Sequence, residues 1–558
     1  MIAYTALLLF FIGIFSSIKV GVKVDKALSF LTFTSLFLVF AGFCDSMSSL
    51  SDHTFSFVWN TNPINSLKFD IISNHYNYWL IFPCFVLTML STLNSLFFRY
   101  EERRSSYFSI LIFNLVTLII LITSNNFVQL LSALFVIDIL SVFMIKNVDA
   151  YRRYVLLNIL ADIVLFVVLA IINCRVASLD IRQIILYRNI GMHQDFVALA
   201  GLTAVFAKFG FFLFQIGVMD LKKIRFHRML NILFLSSPLA SMIILLKFNV
   251  LWRTSAYFTP YLDSVCILTL IWGFLGSLCS DNYKAKVIYW MMSFWALFVE
   301  LLRFHGFIWF SGFTFLILEM YVICLGFYLL YYFSRRRVSM LQIKNMPLIN
   351  KKEVAYTLLI IVASIAALSN TLTILYNNMN RYYIWTFAVL FALSSSAVIK
   401  QLLAKRSLKI TDKVNKMPVK YMMFGELILL CAFLLQDWHY ADPAVWSGIV
   451  LFTLLCAYNP IAKTEFVYGI DILQNRDILG RIYHILIKSL RLCGRFFWLL
   501  IDRIFMEKFV LALFISLINH SLHFFRRLHN SKLGGGFVAI ALLIALLGYS
   551  YYQAGGNQ

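Results

Sequence analysis

Asp471–Asn530 reads DILQNRDILGRIYHILIKSLRLCGRFFWLLIDRIFMEKFVLALFISLINHSLHFFRRLHN. It holds no proline and little glycine, and a basic residue returns every few positions: Arg476, Arg481, Lys488, Arg491, Arg495, Arg503, Lys508, Arg526, Arg527. Ile, Leu, Phe and Trp fill the intervals at helical spacing, so the stretch reads as one long amphipathic helix or two joined end to end. From Arg476 to His529 such a helix would reach about 80 Å, against a bilayer core of about 30 Å. Its charges recur too often for a crossing, so it is expected to lie along the membrane surface. Gly534, Gly535 and Gly536 follow, and then an apolar run from Phe537 to Tyr552 able to span. A rod with an anchor after it is expected to lie against partners wider than this chain. A free surface-bound tail would leave the anchor without a purpose.

The rest of the chain is a membrane protein by composition. Hydrophobic residues make up 61% of the 558 positions and charged ones 13%, with a mean hydropathy of +0.82. That excludes a soluble globular domain. The net charge of +22 falls mostly in loops. Basic loops kept on one side of a membrane explain it better than nucleic-acid binding, for which no basic and aromatic groove is seen. Cysteines such as Cys84, Cys266 and Cys431 sit in apolar runs without metal spacing, and read as small buried hydrophobes. No nucleotide, iron–sulfur or metal motif is present, so the chain is expected to bind no cofactor. Met1 leads into a spanning run without a basic leader, so neither a cleavable signal nor a transit peptide is expected. The 55 phenylalanines fit a chain made in an organelle and inserted there.

About sixteen spanning segments are expected, near 2–19, 27–45, 77–98, 106–123, 127–145, 154–173, 196–214, 230–250, 262–279, 287–303, 307–333, 354–376, 382–403, 420–436, 444–461 and 536–552. The loops supply an independent check. Lys19, Lys23 and Lys26 follow the first segment, Arg99, Arg103 and Arg104 the third, and Lys146, Arg152 and Arg153 the fifth. Lys222, Lys223, Arg225 and Arg228 follow the seventh, Lys284 and Lys286 the ninth, Arg335–Arg337 the eleventh, and Lys405, Arg406, Lys409, Lys413 and Lys416 the thirteenth. Even-numbered loops are short or poor in basic residues, 174–195 excepted. The alternation puts the N-terminus outside, and the odd loops and the rod inside. In the long outer loop 46–76, Thr54–Trp59 has strand-like composition and suggests a small hairpin.

A charge at mid-bilayer costs about 2.5–3.5 kcal/mol on insertion scales and therefore needs a reason. Asp138, Asp162, Lys208, Lys247, Glu319 and Glu426 fall inside expected spans. Carboxylates and lysines on successive helices can pass protons when burial and pairing bring their affinities together. For Asp162, Lys247 and Glu426 the plainer reading is helix packing or snorkelling. For Lys208 the functional reading leads. Phe206–Gly217 carries Gly210 and Gln215, so the seventh segment is expected to break midway.

Several stretches resemble one family, the largest antiporter-like subunits of respiratory complex I, known in mitochondria as NADH dehydrogenase subunit 5. Ser124-Asn125-Asn126-Phe127-Val128-Gln129-Leu130-Leu131 is similar to the family's lead into its fifth helix, and Phe69-Asp70-Ile71-Ile72-Ser73 to its start of helix three. Asn158 and Asp162 fall on its Asn-Arg-x-Gly-Asp, Lys208 on its helix-seven lysine, and Asp220 on the Asp of its Leu-Pro-Asp-Ala. Ser237-Pro238-Leu239-Ala240-Ser241 resembles its Thr-Pro-Val-Ser-Ala, and Lys284 with Tyr289 its Asp-Ile-Lys-Arg-Val-Leu-Ala-Tyr. The departures are as specific. Phe135 stands at the family's helix-five glutamate, with Asp138 a turn on as a substitute. Ile244 stands at its helix-eight histidine, Glu319 near its helix-eleven lysine, and its helix-twelve Lys-Asp pair is missing around Thr373–Leu375.

The resemblance implies an all-α polytopic fold of about sixteen helices with inverted five-helix repeats, a long lateral helix and a terminal anchor. It divides the chain into N-terminal helices and outer loop (1–105), two antiporter-like repeats (106–250 and 262–403), two further helices (420–461), the lateral helix (471–530) and the anchor with its tail (534–558). It implies a distal, non-redox membrane-arm subunit of proton-translocating NADH:ubiquinone oxidoreductase. Such a subunit would move protons through Lys208, Asp138, Lys284, Glu319 and Asp220, and brace sister subunits through the lateral helix among phospholipid. FMN, iron–sulfur clusters and ubiquinone would belong to the complex, in the mitochondrial inner membrane or a bacterial plasma membrane. Two alternatives stand beside it: a subunit of a multisubunit cation/proton antiporter, and a complex I subunit kept only for structure. A free-standing transporter is disfavoured, having no use for the rod.

Overall fold

The computed structural model describes residues 2–18, 22–48, 53–58, 68–97, 104–145, 152–176, 178–187, 193–279, 282–305, and single positions at 317, 318, 320, 321 and 324. The chain separates into two compact units, Met1–Asn475 and Arg476–Gln558, and every described residue belongs to the first. The eleventh to sixteenth expected segments, the second repeat beyond 305, the lateral helix and the anchor lie outside the described residues, apart from those single positions.

The first ten expected segments coincide with helices. They are α1 Ile2–Ser17, α2 Val22–Ser48, α3 His75–Phe97, α4 Arg104–Thr123, α5 Phe127–Ile145 and α6 Arg152–Val176. After a short α7, Ile181–Tyr187, come α8 Gln194–Phe209, a one-turn α9 Gln215–Met219 and a 3-10 turn Asp220–Lys223. Then follow α10 Phe226–Leu235, α11 Ser237–Trp252, α12 Phe258–Cys279 and α13 Tyr283–His305. Six stretches among the described residues are long and apolar enough to cross a bilayer: Val24–Met47, His75–Leu93, Ser105–Thr123, Phe127–Ile145, Arg153–Val176 and Phe226–Trp252. Phe10, Phe11, Leu38, Phe143 and Phe166 stand exposed on α1, α2, α5 and α6. Helices apolar on their outer as well as their inner faces need lipid around them.

The expected hairpin forms with a defined register. β1, His53–Val58, pairs antiparallel with β2, Lys68–Ser73, setting Phe57 opposite Phe69 and Phe55 opposite Ile71. Phe69–Ser73 is thus a strand where its resemblance suggested a helix start; α3 begins two residues later, at His75. The β-branched pair Ile71–Ile72 suits a pleated edge better than a helix end.

Hydrogen bonds sort the loops into the two sets that the charge pattern implied. Odd loops meet odd loops. Ser16 and Asp25 bond to Ser105, Arg228 to the Met144 carbonyl and Lys284 to the Ile224 carbonyl. Even loops meet even loops. Gln129 clamps the Asp70 backbone, Asn125 and Asn126 bridge to Leu179–Ile181, Lys247 reaches Ser124, and Gln194 reaches Leu251. Between the two sets lies a continuous core built from Phe85, Phe108, Leu115, Leu118, Phe206 and Trp290, among others.

Candidate functional site

Two interruptions of regular helix meet in this core. The first ends α8. Gly210 sits at φ 72°, and its N–H with that of Phe211 closes onto the Ala207 and Phe206 carbonyls. This is a left-handed glycine C-cap, a conformation that costs an L side chain about 1–2 kcal/mol. Leu213 (φ 77°) turns the chain again before α9. The midway break expected in 206–217 is therefore present. The second interruption was not foreseen, because 230–250 reads as one apolar run. Ser236 (φ −112°, ψ −126°) stops α10, and α11 restarts at Ser237 with Pro238 in its first turn. Proline lacks the N–H that a continuing helix would need, and is preorganised for a first turn.

Lys208 lies in the last turn of α8 and is 1% exposed. A cation there also meets the negative end of the helix dipole. Its Nζ donates to Asp138 Oδ2 of α5 at 2.7 Å. Asp162 Oδ1 of α6 approaches the same Nζ at 2.7 Å, at ion-pair distance but outside hydrogen-bond alignment. Asp138 Oδ1 accepts from Ser237 Oγ at 3.0 Å, and the Tyr154 hydroxyl lies 3.1 Å from that Oγ. Asn158 bonds the Tyr154 carbonyl from the next turn of α6. Lys208 therefore sits between two carboxylates, one of them anchored at the start of a second broken helix.

Phe135, at the family's glutamate position, is 52% exposed on the outer face of α5, while Asp138 is buried. Asp138, one turn on and about 60° round the helix, reaches the core, so it is the carboxylate that meets the lysine. Ile244 is packed in the core. Asp220 opens the 3-10 turn and pairs with Lys223 at 3.3 Å. Lys284, buried in the first turn of α13, donates to the Ile224 carbonyl. Glu319, Thr373–Leu375 and Glu426 lie outside the described residues. Lys247 donates to the Ser124 carbonyl at 2.5 Å and to its hydroxyl at 2.9 Å, closing the end of α4.

Asp162, read from the sequence as a packing or snorkelling charge, pairs between helices with Lys208. The signal that marks it is the stripe Tyr154, Asn158 and Asp162 at four-residue spacing within the apolar middle of α6. Among the described residues no cluster of metal-ligating side chains occurs.

No protein-family model matches the chain, and no curated protein matches it in sequence. Solved structures do match. A chain of the Mrp complex from Dietzia sp. DQ12-45-1b aligns over 99% of this chain at 11% identity, TM-score 0.64; this chain spans 63% of that one. A chain of respiratory complex I from Thermus thermophilus aligns over 82% of this chain and 99% of its own, at 12% identity, TM-score 0.61. A chain of the membrane-bound sulfane sulfur reductase, an archaeal respiratory membrane complex, aligns over 93% and 99%, at 12% identity, TM-score 0.66. At these identities the likeness is one of fold. The protein is a multi-pass, mostly helical membrane protein that shares its fold with chains of these membrane complexes.

Proposed function

We propose that this chain is an ion-translocating membrane subunit of a complex I-like assembly, in which Lys208 carries the proton. One ammonium faces two carboxylates, Asp138 and Asp162, each 2.7 Å away in a buried core. That arrangement carries the reading. Two carboxylates against one cation leave an excess negative charge, which one more proton neutralises. Drawing either carboxylate away weakens the hold on the lysine proton, and restoring it strengthens that hold. The two helix breaks beside the site supply joints at which such a movement can occur. Lys284 and Glu319 are proposed to continue the path, and Asp220 to border it.

The particular complex is proposed on the family resemblance. It is a proton-translocating NADH:ubiquinone oxidoreductase, with this chain as a non-redox distal subunit, its segment 471–530 bracing sister subunits, and FMN, iron–sulfur clusters and ubiquinone held elsewhere. The near-complete alignment with a chain of the Mrp complex favours a second reading, a subunit of a multisubunit cation/proton antiporter. The co-purifying proteins decide between them: quinone-reductase subunits for the first, small antiporter subunits for the second. Replacing Lys208 by Met in the native assembly is expected to abolish proton translocation with assembly intact. Translocation at the parental rate would reduce the chain to a structural subunit.

A further inference from the structure

We infer that the joint between α10 and α11 holds a buried water that delivers protons to Asp138 through Ser237. Asn114 of α4 is 1% exposed and Ser236 is fully buried. The Asn114 amide N–H donates to the Leu235 carbonyl, the residue beside Ser236, so the two side chains flank one joint. Among the described residues, neither Asn114 Oδ1 nor Ser236 Oγ has a hydrogen-bond partner. Polar atoms orphaned beside a buried break are costly, and native interiors meet that cost with ordered water. The next residue, Ser237, already donates to Asp138 Oδ1 at 3.0 Å.

A polar cluster continues from the joint toward the basic loops. Asn231 of α10 donates to Ser91 Oγ at 2.5 Å and to the Tyr107 hydroxyl, and accepts from the Tyr321 hydroxyl at 3.4 Å. His227 stands edge-on to the Tyr107 ring at 5.6 Å, and the Arg228 guanidinium covers that ring at 5.5 Å. Tyr107 and Asn114 are two turns apart on one face of α4, about 10 Å. α10 thus places a polar cluster at Asn231 between the Arg225–Arg228 end and the joint. In the transfer, Ser237 gives its hydroxyl proton to Asp138 Oδ1 and takes one from the joint water. That water takes a proton back from solvent in turn, and no charge stays on the serine. Asn114 and Ser236 hold the water and carry no proton themselves.

The inference rests on Lys208 and Asp138 being the proton site, and the test separates the two. The native assembly in sealed vesicles carries Asn114→Leu, Ser236→Ala, Asn114→Asp or Lys208→Met, with proton translocation, its solvent isotope effect and assembly all measured. Asn114→Leu and Ser236→Ala are expected to slow translocation at least fivefold and change the isotope effect. Asn114→Asp, which loses the N–H held by the Leu235 carbonyl, is expected to slow it as well. If Lys208→Met abolishes translocation while Asn114→Leu and Ser236→Ala run at the parental rate, the water path is wrong and the site stands. If Lys208→Met also runs at the parental rate, both fall. Ser236→Ala removes one oxygen only and keeps the test open should Asn114→Leu fail to assemble. A high-resolution map without a solvent peak within reach of Asn114 Oδ1 and Ser236 Oγ overturns the inference on its own.

Discussion

Gly210 stands two residues after Lys208 and sets where its helix stops, so that the lysine occupies the last turn of α8 facing Asp138 and Asp162. A β-carbon on Gly210 would collide with the Val218 side chain. The break is thus enforced by backbone conformation and by packing together.

Gly210→Ala is therefore expected to lose about 2 kcal/mol or more of stability, combining left-handed strain with overpacking. Translocation should fall with it, because a helix continued through 210 re-aims Lys208. Thermal unfolding in detergent beside vesicle translocation checks this; an unchanged midpoint would refute it.

Asp138 and Asp162 share one cation, so their removal is not additive. Asp138→Asn or Asp162→Asn leaves Lys208 one partner, whereas the double variant strands a buried ammonium, at a cost of about 3–5 kcal/mol. A double-mutant cycle by thermal unfolding should show the combined loss exceeding the sum of the single losses. Simple addition would mean that the two carboxylates do not act on the same ammonium.

Lys247→Met tests a buried lysine assigned a structural task. Losing its bonds to Ser124 leaves the end of α4 uncapped, for about 1–3 kcal/mol. Translocation per assembled complex should stay at the parental level. A drop in that ratio would place Lys247 on the proton path.

Gln129→Leu removes the two 2.9 Å bonds that hold the Asp70 backbone. The β1–β2 hairpin should loosen by about 1–2 kcal/mol, and limited proteolysis should cut 46–76 faster while the helices stay intact. Equal cutting rates would mean that the clamp does not hold the hairpin.

Much of this architecture was legible along the chain. Apolar runs and alternating basic loops located the helices because burial in lipid depends on local hydropathy, summed residue by residue. Gly210 betrayed its break because few other residues tolerate positive φ. Lys208 and Asp138 stood out because isolated charges in apolar runs demand compensation. The strand character of Phe69–Ser73 was hidden by likeness to a helix-start motif, and the stop at Ser236 by apolar residues on both sides of it.

The sequence by itself determined a membrane bundle, the positions of its first ten apolar segments and the charged residues that need partners, since each of these is a property of a short stretch. Only the tertiary structure decided that Asp162 faces Lys208, that Phe135 is exposed, and that Asn114 reaches the carbonyl beside Ser236. Those contacts depend on how each helix is rotated about its axis against its neighbours. That rotation is set by packing across the whole core, where a turn of one residue, about 100°, exchanges one partner for another.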